Sequence, residues 1–301
     1  MPRFRHHPLI GTFVDIRLPD DTDDDTAELI DALVVTEMER CERIFSIFDP
    51  TSELSRWRRG ESAATSPALT ELLALGLRWQ HDTEGYFNTA SRALTARWQQ
   101  AEESGRPPQP AELVELVSSI ATPRYRIDNG RAVPIGNLND IDLNALAKGW
   151  IVDRAAELAH RQFPDRTLVV DAGGDMRYFG TVPIVIGIEN PLRPYDNEPP
   201  IAHLELSSGG LATSGGSRRG FNVGGVHYPH LIDPHTGLPT TRHASVTITA
   251  PDTATADVVA TVCGLLGVTD ALDLATRHDC GCLIVTADGG LLWNDHGRPL
   301  T

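Results

Sequence analysis

Lysine is all but missing from this 301-residue chain: one, Lys148, stands against 25 arginines. Positive charge as a whole is scarce, since 26 Lys and Arg face 41 Asp and Glu, a net charge of −15. That balance argues against general attraction to nucleic acid or to an anionic membrane, and an anionic ligand would need local help from Arg, Lys, a metal or backbone N–H groups. Long apolar runs are missing too. No stretch approaches the roughly 18 residues of a membrane span, and the opening MPRFRHHPLIGTFVDIRL has neither a run of signal-peptide length nor a lipobox-like Cys, so the expected compartment is the cytoplasm. Cysteine is rare: Cys41, Cys263, Cys280 and Cys282 are irregularly spaced. Cys280-Gly-Cys282 is too tight for a zinc knuckle and has no second pair, so buried free thiols are expected. No internal repeat or low-complexity tract is present. What remains is a chain with 41% hydrophobic residues, enough for a sizeable core. The length prior suggests about two domains; with no clear linker, one two-lobed unit over 1–301 is expected.

Periodicity sets the expected elements. LIGTFVDIRLP alternates apolar and polar residues, as a half-buried strand does. An acidic turn, DDTDDDT, leads into a helix over roughly 25–45, where its charges suit the positive end of the helix dipole. Ser66-Pro67 starts a helix that runs to about Asp82. GRPPQP is a surface loop before a short helix over 110–120, and another helix follows Lys148 and runs to about Gln162. Strands are then expected at 167–174, 183–189, 202–207, 211–215 and 244–250, with a Pro-rich surface loop over 189–200. Helices over about 254–265 and 268–277 precede a final hairpin that turns at Asp288-Gly289-Gly290. The sum is a mixed α+β chain.

Four segments carry chemistry. DLNALAKG (142–149) puts an Asp, small residues and Lys-Gly at a helix start, which can bring a carboxylate, a cation and backbone groups to one phosphate ligand; it also fits an ordinary loop-to-helix junction. VVDAGGDMRYFG (169–180) ends a buried strand in Asp-Ala-Gly-Gly-Asp, whose glycines allow close backbone approach or a tight turn. The stretch 211–239 holds a Gly/Ser turn, two arginines and His230-Leu-Ile-Asp233-Pro-His-Thr-Gly, but matches neither standard nucleotide loop. His230, three residues before Asp233, reads as an acid/base pair or as a capped turn. In TATADVVATVCG (253–264), Asp257 and Thr261 are four apart on a helix and share a face. Both offer the hard oxygens that Mg²⁺ prefers; a self-satisfied Thr beside an exposed Asp is the alternative.

Nine segments in order give the chain its resemblance: Ile10-Gly11-Thr12, FSIFDPTSELSRW, TEGYFNTA, DLNALAKGW, VDAGGDMR, IGIENP, TSGGSRRG, HLIDPHTG and ADVVAT. Together they resemble the FAD:protein FMN transferase (ApbE) family, over most of the chain. The resemblance implies an α+β fold of ApbE-like (T-fold-like), two-lobed architecture, with antiparallel sheets packed on helices. It implies FAD as donor: the pyrophosphate is cut, the FMN half is joined by a phosphoester to a Thr or Ser hydroxyl of an acceptor protein, AMP leaves, and Mg²⁺ is required. The acceptor's target segment would resemble Asp/Ser-Gly-Ala-Thr followed by a small residue. Carried over by position, Asp257 and Thr261 fall on metal-ligand positions, Ala260 beside them, and Ala145 on a further metal position where only its backbone carbonyl can serve. Asp142 and Lys148 match FAD contacts. Ile10, Phe48, Tyr86, Phe87, Asn88 and Leu231 fall on flavin-binding segments. His230 matches the acid/base histidine, with Asp233 expected to orient it.

Three positions depart from the family pattern. Ile10 stands where Met is usual, Phe48 where Tyr is often found, and Asn88 where Asp is common. The last two remove polar groups expected near the flavin. A hydrolase giving FMN and AMP, or a non-catalytic FAD carrier, would use the same residues.

Overall fold

A computed structural model describes residues 2–62, 64–195, 197–215, 220–240 and 242–300. In chain order its elements are β1 (Arg3–Leu9), β2 (Thr12–Arg17), α1 (Asp24–Phe45), α2 (Glu53–Arg58), α3 (Pro67–Asp82), α4 (Arg92–Ser104), α5 (Pro110–Ile120), β3 (Tyr125–Asp128), β4 (Arg131–Pro134), α6 (Asn144–Gln162), β5 (Leu168–Ala172) and β6 (Asp175–Phe179). There follow β7 (Ile184–Ile188), β8 (Ala202–Leu206), β9 (Gly209–Gly215), β10 (Gly220–Val223), β11 (Val226–Pro229), β12 (Ser245–Ala250), α7 (Thr253–Leu265), α8 (Val268–Arg277), β13 (Gly281–Val285) and β14 (Leu291–Trp293).

Local chemistry accounts for the boundaries. Asp23 accepts the N–H of Thr26 and caps α1, whose buried residues Ala27, Ile30, Val34, Met38, Cys41 and Phe45 recur every three or four positions along one stripe. Ser66 caps α3 through the N–H of Leu69, with Pro67 in the first turn. The expected single strand over LIGTFVDIRLP is instead a hairpin. Leu9 pairs with Thr12 across a two-residue turn, with Ile10 at φ +47 and Gly11 at φ +74. A two-residue primed turn needs both central residues left-handed, and a β-branched residue there is strained by about 1–3 kcal/mol.

Eight strands form one open antiparallel sheet in the order β1-β2-β5-β6-β9-β12-β13-β14. Alternation along β5, β9 and β12 divides its faces. Val170, Ala172, Ala212, Val246 and Ile248 join the main core with α1, α6 and α7. Val169, Met176, Tyr178 and Leu211 face the other way, into a smaller core closed by the β7–β8 ribbon through Ile188, Ala202, Leu204 and Leu206. Phe45 of α1 meets Trp150 of α6 edge-on at 5.1 Å, fixing one helix on the other. The fold is thus mixed helices and antiparallel sheets, as expected. Among the described residues no helix is long and apolar enough to cross a membrane, and the four cysteines are buried free thiols.

Several elements escape the sequence pattern: α2, α4, β1, β6 and the β3–β4 and β10–β11 hairpins. For β3–β4 the signal was present, since Asn129-Gly130 makes a left-handed turn at φ +47 and +72. β6 reads as polar because Asp175 and Arg177, its alternate residues, are buried charges with partners inside the protein.

Candidate active site

The sheet, the β7–β8 ribbon and the N-terminal end of α6 bound a cleft of about 1460 Å³. That exceeds the roughly 300–1,000 Å³ of ordinary small-molecule pockets and leaves room for a dinucleotide. Val169, Asp171, Leu211 and Thr213 line it from the sheet, Ile184, Ile186 and Ile188 from the ribbon, and Ile10 and Gly11 from the β1–β2 turn. Asn144 and Ala145 bring the first turn of α6 to the cleft, the end of a helix that favours anions.

Three ionisable side chains from three elements converge at one wall. Lys148 lies in the second turn of α6, so the helix begins ahead of it rather than after it. Its Nζ is 2.5 Å from Oδ2 of Asp175, the first residue of β6. Asp257, in the second turn of α7, accepts the backbone N–H of Gly149 at 3.2 Å. Burial pushes both carboxyls up, Asp175 well above the ordinary carboxylate range, and the neighbouring charge of Asp257 raises Asp175 further while Lys148 opposes the shift. Two carboxyls sharing one buried site do not readily ionise together. With one ammonium against them, the pair holds a proton or calls for a further cation.

Glycines allow this convergence. A Cβ on Gly149 would lie 2.5 Å from the carbonyl oxygen of Thr253 and 2.8 Å from Cα of Ala254, so only glycine lets α6 and α7 cross so closely. Gly173, at φ +64 in the β5–β6 turn, would drive a Cβ into the hydroxyl of Thr12. Asp153 of α6 completes the join: its two oxygens accept the N–H groups of Thr253 at 2.9 Å and Ala254 at 2.8 Å, capping α7 from outside. Burial pushes that carboxyl up to about 6.

The donor set suits a hard divalent cation. Thr261 follows Asp257 by one helical turn and lines the same cleft. Asp257 takes the N–H of Gly149, the donor that an α-helix pairs with the carbonyl of Ala145. A carbonyl has two lone pairs, and Ala145 itself lines the cleft. Among the described residues no three His, Cys, Asp or Glu side chains cluster as a ready-made cage. Mg²⁺ needs none, since it takes one or two carboxylates and fills its shell with water and phosphate. Ala260 is buried in the main core, with no side-chain oxygen to offer.

The remaining expected residues divide into two groups. Phe48, His230 and Leu231 line the cleft with Ile10, Ala145, Lys148, Asp257 and Thr261. Phe48 sits at the mouth, 82% exposed. Leu231 packs where a Cβ on Gly264 of α7 would meet it at 3.0 Å, just beyond Thr261. Tyr86, Phe87, Asn88, Asp142 and Asp233 do not line the cleft. Phe87 is buried in the main core. Asn88 is buried, donating to the carbonyl of Ile120 and accepting the N–H of Ala90. Asp142 accepts the N–H of Asn144 at the start of α6, gives its own N–H to Thr89, and has its carboxyl pushed up by burial. Asp233 accepts the N–H of His235 and lies 3.6 Å from that ring, so its carboxylate serves His235. His235 in turn reaches the carbonyl of Glu84 and the edge of Tyr86, tying the 230–237 loop to the 83–90 loop. Residues 216–219 of the TSGGSRRG segment lie outside the described residues.

Two features of the site went unassigned in the sequence. Asp175 stood within VDAGGDMR, its role hidden by an apparently polar strand. Arg17 and Asp171, paired at 3.0 Å across β2 and β5, put a second cation at the cleft from positions too far apart to associate by spacing.

Known proteins share this arrangement of chain. The FAD:protein FMN transferase of Haemophilus influenzae is 29% identical over 308 residues, covering 94% of this chain and 86% of that protein. The protein of that description from Vibrio cholerae is 31% identical over 258 residues, covering 81% and 76%. The solved ApbE protein of Thermotoga maritima superposes with a TM-score of 0.86 at 27% identity, over 98% of this chain and 97% of that one. The flavinyl transferase ApbE of Pseudomonas stutzeri, at 21% identity and a TM-score of 0.79 over 98% and 95%, shares the fold. The ApbE family pattern matches residues 10–284, from the strained Ile10 turn to β13, and the chain belongs to the ApbE family.

Proposed function

We propose that the chain is a Mg²⁺-dependent FAD:protein FMN transferase. It joins the FMN half of FAD to a Thr or Ser hydroxyl of an acceptor protein and releases AMP. The observation that carries this reading is the Lys148–Asp175–Asp257 cluster at the wall of a dinucleotide-sized cleft, with Thr261 one turn away. A pyrophosphate needs local charge neutralisation in a protein of net charge −15, and phosphoryl transfer depends mainly on positioning and electrostatics. Lys148 and the first turn of α6 supply positive potential from the protein. Asp257, the Thr261 hydroxyl and the Ala145 carbonyl are the donors that would hold Mg²⁺, which supplies Lewis acidity at the phosphates.

In the transfer, the acceptor oxygen forms a bond to the FMN phosphorus as the P–O bond to AMP breaks. The hydroxyl proton needs a base, and His230, at the cleft beside Leu231, is the candidate. Asp233 supports it indirectly, by fixing the 230–237 loop through His235. An acceptor carrying Thr in a segment like Asp/Ser-Gly-Ala-Thr would thread this hydroxyl to the cleft.

Incubation with FAD, Mg²⁺ and such an acceptor should leave covalent flavin fluorescence on a denaturing gel and free AMP in solution. His230→Ala should still bind FAD but transfer it about 10²–10⁴-fold more slowly. Asp257→Ala should lose activity together with its Mg²⁺ dependence. FMN and AMP formed equally fast without acceptor would make the protein a hydrolase, and bound FAD that stays intact would make it a carrier; either result rejects the transferase.

A further inference from the structure

We infer that Asp175 is a positioning residue: from beneath the cleft it fixes the direction of the Lys148 ammonium, so that the cation is already aimed when the phosphates arrive. The inference rests on the proposed function. Asp175 is 1% exposed, does not line the cleft and so has no direct route to a ligand there. It is held 2.5 Å from a lysine that does line the cleft. The backbone leaves it little freedom, because it follows the Gly173-Gly174 turn, itself pressed on Thr12, and pairs with Ala172 in the sheet.

The packing of α6, α7 and β6 has other means of support. Asp153 caps α7, Arg177 of β6 lies 3.7 Å from Asp153, and Gly149 permits the helix crossing. A second buried carboxylate next to Asp257 is unfavourable for stability alone. Asp175 also meets the carboxyl of Asp257; what it adds beyond that is its hold on Lys148, a flexible four-carbon stem that would otherwise sample many rotamers. Holding the stem before binding lowers the ordering penalty when the ligand arrives. The same contact explains why the only lysine in the chain stands here: a compact ammonium can rest on a buried carboxylate and still face a cleft, where a planar fork would have to choose.

That single lysine supplies the test. Protein grown on lysine labelled with ¹³C at Cε and ¹⁵N at Nζ gives one side-chain signal, from Lys148. The signal should move when FAD is added. Asp175→Asn should shift it in the free protein, shrink its response to FAD, and weaken FAD binding by up to about tenfold, the scale of ordering one rotamer-rich side chain on binding. Asp175→Glu should restore part of both. In a Lys148→Met background, Asp175→Asn should change FAD affinity by less than about twofold, because residues that act through one another are not additive. Should Asp175→Asn fail to fold, the Lys148→Met/Asp175→Leu pair, which replaces both charges with apolar groups, should bind FAD as Lys148→Met does. An unmoved lysine signal in Asp175→Asn, or a full further loss of affinity in either double variant, overturns the inference and makes Asp175 a direct ligand or a packing residue. If wild-type protein binds no FAD at all, the proposed function fails while the lysine signal still reports whether the pair forms.

Discussion

At Lys148 the choice of cation is set by the depth of its partner. Asp175 is almost fully buried and the ammonium must reach it while keeping a place in the cleft wall. Lys148→Arg keeps the charge and changes the shape, and should lower FAD affinity about tenfold, since a guanidinium is wider and differently aimed; flavin fluorescence titration measures it. Asn88 shows the same discipline. Its amide donates to the carbonyl of Ile120 and accepts from Ala90, a double task that the carboxylate common in the family cannot perform. Asn88→Asp should therefore destabilise the fold by about 1–3 kcal/mol in urea unfolding, with FAD affinity at matched folded protein unchanged. Legibility at this scale followed geometry. Asp257 and Thr261 could be paired from sequence because helical spacing of four places residues on one face. Asp233 and His235 could not, because a tight loop decides which neighbour a carboxylate meets. Asp175 was hidden for a different reason: its charge is satisfied by a residue 27 positions earlier, across a helix and a turn.

At the scale of elements, α6 and α7 carry the site between them, and Asp153 governs their join. Its carboxyl titrates at about 6 in the folded protein against an ordinary value of 3.8. The folded state thus binds this proton more tightly than the unfolded chain does. The resulting stability is fully present below about 4, is lost as pH rises through about 6, and is constant above. The stability of wild type minus that of Asp153→Asn should fall by up to about 3 kcal/mol across that window; a flat difference in urea unfolding at a series of pH values removes the desolvation argument. Most boundaries of the long helices were legible, because caps such as Asp23 and Ser66 sit beside regular apolar stripes. Short strands such as β6 were not, because buried ion pairs interrupt their apolar alternation.

For the whole molecule, the net charge of −15 opposes the approach of any polyphosphate, while Lys148 and Arg17 attract it only at close range. Screening lengths fall from about 30 Å at 0.01 M salt to about 8 Å at 0.15 M, which removes the long-range repulsion first. The association rate of FAD in stopped-flow quenching should therefore rise several-fold over that range; a fall would mean that the local cations govern approach from afar.

The sheet order also fixes when such a site can exist. β2 lies beside β5, and Arg17 meets Asp171 across 154 positions of chain. All of α1 to α6 is made before the first two strands of the sheet find their neighbour, and Asp257 arrives later still. Contacts that close loops of this length form slowly. A ribosome adding about 5–20 residues per second would hold β1 and β2 as an unpaired hairpin edge for many seconds, so the nascent chain is most exposed to mispairing while α1 to α6 are being made and before α7 and α8 exist.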